Sequence, residues 1–283
     1  MRGLIVVGVV TVVLGRLSDP TSDVRQREVE VIGTEYAFTV QPELPAGRTA
    51  FRFRNRGKVP HEFNIVLLKP GVTITQFIDS AKADKPQMVM VEGPVGVLFA
   101  DPGKTSAVTL STDLLPGRDY AVQCIFRDSA AAPKHLAMGM YSVIHVRAAK
   151  PTPRVSTKRD TVVGVDYAYK YNRVVSPGHH SFVFRNEGKV RHEMSLLLLK
   201  KGATLDSVLA IDKSGGDIFS VVEGGDGLLH ARAGETALGA LEIDMLPGRE
   251  YVIFCEFQDD RKSPPHYKLG MYGSIKVPAK PGG

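Results

Sequence analysis

Residue types that bind soft metal ions recur at one spacing in two places in the sequence. Residues 124–140 read C-I-F-R-D-S-A-A-A-P-K-H-L-A-M-G-M, and residues 255–271 read C-E-F-Q-D-D-R-K-S-P-P-H-Y-K-L-G-M. Each stretch supplies one thiol, one imidazole and one thioether, which come from Cys124, His135, Met140, Cys255, His266 and Met271. Such donors suit copper better than calcium or magnesium, which prefer oxygen ligands.

A further histidine lies upstream of each stretch, at the start of a segment that reads as a strand. Alternate residues of a strand share one face, so His61 lies on the same side as Phe63 and Ile65. His192 has the matching position in the second copy, and Cys124 and Cys255 also fall on the apolar side of their strands. An unpaired buried imidazole costs about 1–3 kcal/mol, and a metal ion would provide the missing partner.

The two stretches belong to a longer internal duplication with a constant offset of 131 residues. Without a gap, G-K-V-P-H-E aligns with G-K-V-R-H-E, and L-L-P-G-R-D-Y aligns with M-L-P-G-R-E-Y. Such self-similarity indicates one domain present twice. We predict domains at residues 28–147 and 161–278, joined by a Pro-rich and charged linker at 148–160.

Both copies read as short strands separated by Gly and Pro, which favours an all-β sandwich or barrel. One segment departs from this pattern, because T-I-T-Q-F-I-D-S-A-K after Gly71 has the spacing of a short amphipathic helix. The predicted fold class is therefore all-β, with two tandem β-sandwich domains that each carry a short helical insertion.

Composition and charge narrow the range of partners and locations. The chain of 283 residues has a net charge of +6 and no dense Lys/Arg cluster, so a nucleic-acid partner is not expected, whereas an acidic protein partner fits the charge. Residues 1–15 form an apolar run too short to span a bilayer, which predicts a secretory signal peptide or, alternatively, a short uncleaved anchor. We predict an extracytoplasmic protein, periplasmic or secreted, with no membrane span beyond that segment.

Each copy resembles a cupredoxin, the blue-copper domain of plastocyanin, azurin, rusticyanin and auracyanin. The resemblance rests on F-R-F-R-N-R-G-K-V-P-H, L-L-P-G-R-D-Y-A-V-Q-C and H-L-A-M-G-M, and on their counterparts in the second copy. It implies a Greek-key β-sandwich with one type 1 copper per domain, up to two per chain. The implied ligands are His61, Cys124, His135 and Met140, then His192, Cys255, His266 and Met271, with each Met as a weak axial donor.

Two features depart from the small cupredoxins. Ten residues separate Cys from His, against two to four in those carriers, and a longer loop raises the closure cost only slightly. Glu62 and Glu193 follow the upstream histidines, where azurin and plastocyanin have an Asn that ties this strand to the Cys loop. Groups of this kind set metal affinity and reduction potential.

The resemblance implies a non-enzymatic carrier of single electrons that serves a redox partner protein. The alternatives are copper storage or delivery, or protein binding, by a cupredoxin fold without a redox role. A multicopper oxidase or nitrite reductase relative is disfavoured, because such enzymes place a His beside the Cys, where this chain has Gln123 and Ile125, or Phe254 and Glu256.

The remaining polar residues of interest are assigned ordinary structural roles. Both cysteines are expected as free thiols in separate sandwich cores, because a disulfide needs Cα atoms within about 7 Å. Asp128 and Asp259, in the long loops, are interpreted as solvated rather than catalytic. Four histidines without a His counterpart are interpreted as surface or hydrogen-bonded residues, namely His145, His179, His180 and His230.

Overall fold

Two β-sheets make up the structure, a computed structural model that describes residues 26–83, 85–148, 159–223, 227–260 and 262–279. We call residues 26–148 the first half and residues 159–279 the second half. The predicted all-β class is confirmed, with one eight-stranded and one nine-stranded sheet. The predicted signal peptide lies outside the described residues, as does most of the predicted linker.

The first half contains nine strands, one α-helix and two short 3-10 helices. They are β1 (Arg27–Thr34), β2 (Ala37–Thr39), β3 (Glu43–Pro45), β4 (Gly47–Asn55), β5 (His61–Leu68), α1 (Ile74–Lys82), a 3-10 helix (Gln87–Met90), β6 (Val91–Ala100), β7 (Thr109–Leu114), β8 (Asp119–Gln123), a 3-10 helix (His135–Met138) and β9 (Tyr141–Arg147).

The second half repeats this order, except that no strand corresponds to β3 among its described residues. Its elements are β10 (Asp160–Val165), β11 (Ala168–Lys170), β12 (Gly178–Asn186), β13 (His192–Leu198), α2 (Leu205–Lys213), a 3-10 helix (Ile218–Val221), β14 (Gly227–Ala231), β15 (Gly239–Met245), β16 (Glu250–Phe254), a 3-10 helix (His266–Leu269) and β17 (Tyr272–Lys276).

The predicted helical insertion is present in both halves. In the first, Thr73 caps α1 by accepting a hydrogen bond from the Gln76 N–H, while the Gln76 side chain binds back to the Thr73 N–H. The helix buries Phe77 and Ile78 against the outer face of the nine-stranded sheet, in a small cluster with Val66. Thr204 caps α2 in the same way.

The two halves are joined through both sheets by strands that pair with their own copies. β6 pairs antiparallel with β14, and Val97 lies opposite Leu228, its counterpart at the offset of 131. β7 pairs antiparallel with β15, with Leu110 opposite its counterpart Leu241. Antiparallel pairing of equivalent residues places a pseudo-twofold axis between the halves, as at the interface of a symmetric dimer.

The core is continuous across this junction, so the expectation of separate sandwich cores is wrong. A single buried cluster contains Phe51, Phe63 and Leu110 from the first half together with Phe182 and Leu241 from the second. The sheets close over one shared interior because the strands that join the halves carry apolar residues on the inward face. Both cysteines are nevertheless free thiols, as predicted.

A shared core predicts that the halves unfold together. Leu110→Ala should lower the free energy of unfolding by about 2–5 kcal/mol, since it opens a cavity at a fully buried junction residue. Pulsed alkylation with mass spectrometry should then detect Cys124 and Cys255 becoming reactive at the same, lower denaturant concentration. Leu241→Ala should give the same pattern, and Val89→Ala, at a side chain 65% exposed, should give no shift. Exposure of Cys124 while Cys255 stays protected would contradict a shared cooperative unit.

Candidate metal sites

The structure brings His61, Cys124 and His135 together in the first half, and His192, Cys255 and His266 in the second. We call these the first and second donor clusters. In each cluster, one nitrogen or sulfur atom from every residue lies within 4.8 Å of the others, and all six side chains are buried. The facing Nδ1 atoms of the two histidines are 3.0 Å apart in both clusters, and the Cys Sγ lies 3.5 Å from the Nδ1 of the downstream histidine, His135 or His266.

Strand pairing brings the upstream His and the Cys together. β5 pairs with β8 so that Asn64 lies opposite Gln123, which places the first residues of β5 beside Cys124 just after β8. The Glu62 N–H donates to Cys124 Sγ at 3.4 Å, and the equivalent Glu193 N–H donates to Cys255 Sγ at 3.2 Å. Each sulfur is therefore held by the strand that carries the upstream histidine.

Main-chain hydrogen bonds fix the other end of each Cys-to-His loop. The Cys124 N–H donates to the Met140 carbonyl, and the Met140 N–H donates to the His135 carbonyl. The Met140 side chain is fully buried, and its Cε lies where a Cβ on Gly33 would come within 3.1 Å. The second half repeats these contacts with Cys255, His266 and Met271. The role of each Met as an axial ligand stays a prediction.

Asp128 and Asp259 contact the imidazoles of the downstream histidines, so their interpretation as merely solvated residues is wrong. His135 Nε2 lies 3.0 Å from Asp128 Oδ1, and His266 Nε2 lies 3.2 Å from Asp259 Oδ1. Each carboxylate is about one third exposed and reaches the ring because the ten-residue loop folds back over it. At His135 the Asp128 carboxylate forms a hydrogen bond with Nε2, which keeps the proton there and leaves Nδ1 free to bind a metal ion. At His266 the carboxylate is close, but the contact does not have hydrogen-bond geometry.

In both halves a tyrosine packs beside the carboxylate and also covers the downstream histidine. The Tyr36 hydroxyl donates to Asp128 at 3.2 Å, and its ring centroid lies 5.0 Å from that of His135. Tyr167 has the same contacts with Asp259 and His266. Both tyrosines have a positive φ, 58° and 59°, which is uncommon for a residue with a side chain. Such strain persists where the surroundings impose it, and here it places each ring against the donor cluster.

Glu62 ties the strand that carries His61 to the loop that follows Cys124. Its Oε1 accepts a hydrogen bond from the Ile125 N–H at 2.8 Å, which ties β5 to the Cys loop. Burial raises the pKa of Glu62 to about 7. In the second half the Glu193 carboxylate is instead paired with Arg191 at 3.2 Å. The two clusters thus share their donors but differ in their immediate surroundings.

Burial controls the protonation of the donors. Desolvation, with a smaller contribution from His135, lowers the pKa of His61 to about 4, and desolvation also lowers the pKa of His192. Desolvation followed by the nearby Glu62 or Glu193 charge raises the pKa of both thiols to about 12. The metal-free clusters at neutral pH therefore hold the upstream imidazoles, His61 and His192, as neutral rings and both cysteines as protonated thiols. Binding a metal ion would release the thiol proton.

The donor sets fit a single soft metal ion in each half. Two nitrogen donors about 2.0–2.1 Å from a shared ion can lie 3.0 Å apart, as the two Nδ1 atoms do. A His, His, Cys plane with a thioether nearby is the pattern of type 1 copper sites. A Cβ on Gly57 would come within 2.8 Å of His61 Nε2, so the upstream imidazole requires a glycine beside it. Gly188 has the same relation to His192.

The other histidines divide into two groups. His145 and His180 lie 2.7 Å from Asp119 and Asp160, and His179 is exposed near Asp244, in agreement with the prediction of surface or hydrogen-bonded residues. His230 differs, because it is buried and its Nδ1 has no hydrogen-bond partner among the described residues. Burial lowers its pKa well below the usual value, so it is neutral.

Comparisons with known proteins return cupredoxin structures at low similarity. No family model and no curated protein matches the chain. A reduced auracyanin from Roseiflexus castenholzii is 18% identical over 45% of this chain and 98% of its own, with a TM-score of 0.30. A multicopper oxidase is 17% identical over 89% of both chains, with a TM-score of 0.24. The copper-containing nitrite reductase from Thermus scotoductus SA-01 is 11% identical over 90% of this chain and 63% of its own, with a TM-score of 0.25.

Likeness at these scores carries no weight for function. The class rests on what the chain itself contains, which is a β-sandwich with two buried His, Cys, His clusters of the predicted residues. The resemblance to the cupredoxins is confirmed at that level. Both sites are compatible with type 1 copper.

We predict that Asp128 controls metal affinity at the first donor cluster. In a Cys255→Ser background, which leaves one complete donor set, Asp128→Ala should weaken Cu(II) binding by roughly 10–100-fold, since loss of the carboxylate frees the His135 ring to reorient. Competition with a chelator of known affinity measures the change. Asp128→Asn, which keeps an acceptor oxygen, should have a smaller effect, and Asp79→Asn on α1 should have none. Equal affinity in Asp128→Ala and the parent would show that the contact does not position the ring.

Proposed function

We propose that the chain binds one type 1 copper ion in each half, held by His61, Cys124, His135 and Met140 and by His192, Cys255, His266 and Met271, and that it carries single electrons. The observation behind this proposal is the convergence of two imidazoles and a thiol in a dry pocket, twice in one chain. Copper bound there would supply a one-electron couple between Cu(I) and Cu(II). Nothing in the proposal requires turnover of a substrate.

The chain's own groups would limit rearrangement during electron transfer. Asp128 and Tyr36 hold the His135 ring from outside, while the Glu62 N–H holds the Cys124 sulfur from the side. Main-chain hydrogen bonds at Met140 fix the loop end. All three donors of each cluster are at most 1% exposed, so very little of their surface meets water. Preorganised donors in a dry site change little when the charge of the bound ion changes.

The net charge and the N-terminal residues support a proposed partner and location. A net charge of +6 favours an acidic redox protein as the partner. The apolar run at residues 1–15 supports export, and the free thiols would be used for metal rather than for a disulfide. None of the described helices is long and apolar enough to cross a membrane.

Copper storage or delivery is the second candidate, and one observation favours it. His135 and His266 are fully buried beneath the Asp and Tyr side chains, so no imidazole edge is open to a partner protein. A covered site is compatible with slow release of a bound copper ion as well as with electron transfer. Rapid oxidation and reduction by small redox mediators, without loss of copper, would favour the carrier over the store.

An oxidase or nitrite reductase is the third candidate, from a different class. Such enzymes need a second type of copper site. In the described parts of the chain, the only groups of three or more His, Cys, Asp or Glu donors close enough to hold a metal are the two clusters. We therefore propose a protein without catalytic activity of its own.

Copper reconstitution tests the proposal directly. Adding Cu(II) to the metal-free chain should produce an intense visible band from thiolate-to-copper charge transfer, with two copper ions per chain. Cys124→Ser and Cys255→Ser should each remove one ion and about half of the band, because the clusters lie in different halves. Metal analysis that finds no copper after reconstitution, with both thiols still titratable, would reject the proposal.

The axial position gives a second test. Met140→Leu in the Cys255→Ser background should keep the visible band and raise the reduction potential, because loss of the thioether disfavours Cu(II) more than Cu(I). Cyclic voltammetry measures the change. Met138→Leu is the matched control, since the second half has Leu269 at that position, and it should leave the potential unchanged. Bleaching by Met140→Leu as complete as that of Cys124→Ser would be incompatible with a weak axial ligand.

A further inference from the structure

A cavity of about 500 Å³ lies between the halves, beside the first donor cluster. The first half contributes His61, Asp101 and Phe126 to its wall, and the second half contributes residues that include Phe219 and Glu256. Phe126 also packs edge-on against His135, with ring centroids 5.5 Å apart. The cavity volume falls within the range of about 300–1,000 Å³ that is usual for small-molecule sites.

The pseudo-twofold axis relates this cavity to an equivalent place beside the second donor cluster, and there an arginine fills the space. Arg232 is the counterpart of Asp101 at the offset of 131. Its guanidinium donates to the carbonyls of Met88, Val91 and Glu92 at 2.9–3.1 Å. The counterparts of those three residues line the cavity, and they are Phe219, Val222 and Glu223. The cavity is therefore open where Asp101 replaces the arginine.

Other cavity residues also differ from their counterparts in a consistent direction. Pro60 stands where the second half has Arg191, so a second cation is absent from the wall. Glu256 stands where the first half has Ile125, and Phe254 where it has Gln123. One copy of the duplicated interface thus has more carboxylates and phenyl rings, and the other has more arginines.

The resulting wall combines aromatic faces with negative charge. Four phenylalanines line it, namely Phe99, Phe126, Phe219 and Phe254. Phe219 is 49% exposed, which is high for so large an apolar side chain. Three carboxylates, those of Asp101, Glu223 and Glu256, line the same space, and none of the described Lys or Arg residues does. Glu223 is paired with Arg249, so the excess charge comes from Asp101 and from Glu256. Desolvation, followed by the nearby Glu193 charge, raises the pKa of Glu256 to about 7, so Asp101 carries most of this charge at neutral pH and Glu256 adds to it as the pH rises.

We propose that this interdomain cavity binds a small organic cation that carries an aromatic or other apolar group. Phenyl faces attract cations through the ring quadrupole, and the carboxylates complement the positive charge. A neutral aromatic compound would use only the apolar part of the wall, and an anion would be repelled. The site does not depend on the metal. Its ligand would lie against His61 and Phe126 of the first half and away from their counterparts His192 and Phe257.

The test titrates the full metal-free chain with benzyltrimethylammonium, benzyl alcohol and benzoate, using calorimetry and the imidazole C–H signals in NMR spectra. The cation should bind one site per chain at least about tenfold more tightly than benzoate, with benzyl alcohol between them. The signals of His61 should shift, and those of His192 should not. Equal affinity for the cation and benzoate, or shifts at His192 alone, would overturn the proposal.

Substitutions that place the residue of one half at the equivalent position of the other test where the cation binds. Asp101→Arg should fill the cavity as Arg232 fills its counterpart, and should abolish binding of benzyltrimethylammonium. Glu256→Ile introduces the residue that the first half has at this position, Ile125. It should lower the affinity for benzyltrimethylammonium severalfold and change the affinity for benzyl alcohol little. This variant still tests the site if Asp101→Arg fails to fold. Asp79→Asn is the control outside the cavity. Unchanged cation affinity in a folded Asp101→Arg or in Glu256→Ile would reject this location.

Discussion

Each donor cluster depends on the register of one strand pair, β5 with β8 in the first half and β13 with β16 in the second. Because Asn64 lies opposite Gln123, the main chain at Glu62 meets the sulfur of Cys124, and His61 lies at the same end of the sandwich. A slip by one residue would turn His61 and Cys124 away from the interior and expose Phe63 and Val122. The apolar side chains that fill the core therefore also set the distance between the donors. The same core packing therefore stabilises the fold and fixes the geometry of the metal donors.

Duplication has produced two equal clusters in unequal surroundings. The strands that pair across the junction are copies of each other, so the halves meet through a pseudo-twofold axis and share one core. Symmetry of this kind would give identical environments if the sequences were identical. They are not, since Arg232 occupies one interdomain space and Asp101 leaves the other open. Glu62 and Glu193 likewise differ in what they bind.

The sequence predicts the fold class and the donors because both follow from local regularities. Strand alternation places His61 and Cys124 on the inner face, and repetition at a fixed offset identifies the donors. The continuous core is not predicted, since a strand pattern does not say that β6 meets β14 rather than solvent. The contacts of Asp128 and Tyr36 with His135 are not predicted for another reason. Both residues lie in connections between strands, where no repeating pattern indicates which way a side chain points. The sequence does contain one indication that these two residues matter, because both recur at the offset of 131, as Asp259 and Tyr167.

Burying the polar donors of a metal-free cluster costs folding free energy, which gives the Asp and Tyr side chains over the downstream histidines a structural role. Protonated thiols and the neutral imidazoles of His61 and His192 are buried there, and His61 Nε2 has no hydrogen-bond partner among the described residues. Each unsatisfied buried group costs about 1–3 kcal/mol, so the core and the shared sheets must offset the expense before any metal binds. A ligand that binds only the folded chain adds stability that grows with the logarithm of one plus the ratio of the ligand concentration to its Kd. Asp128 and Tyr36 limit the cost by fixing His135 in one orientation, so the donors are already in place when a metal ion arrives.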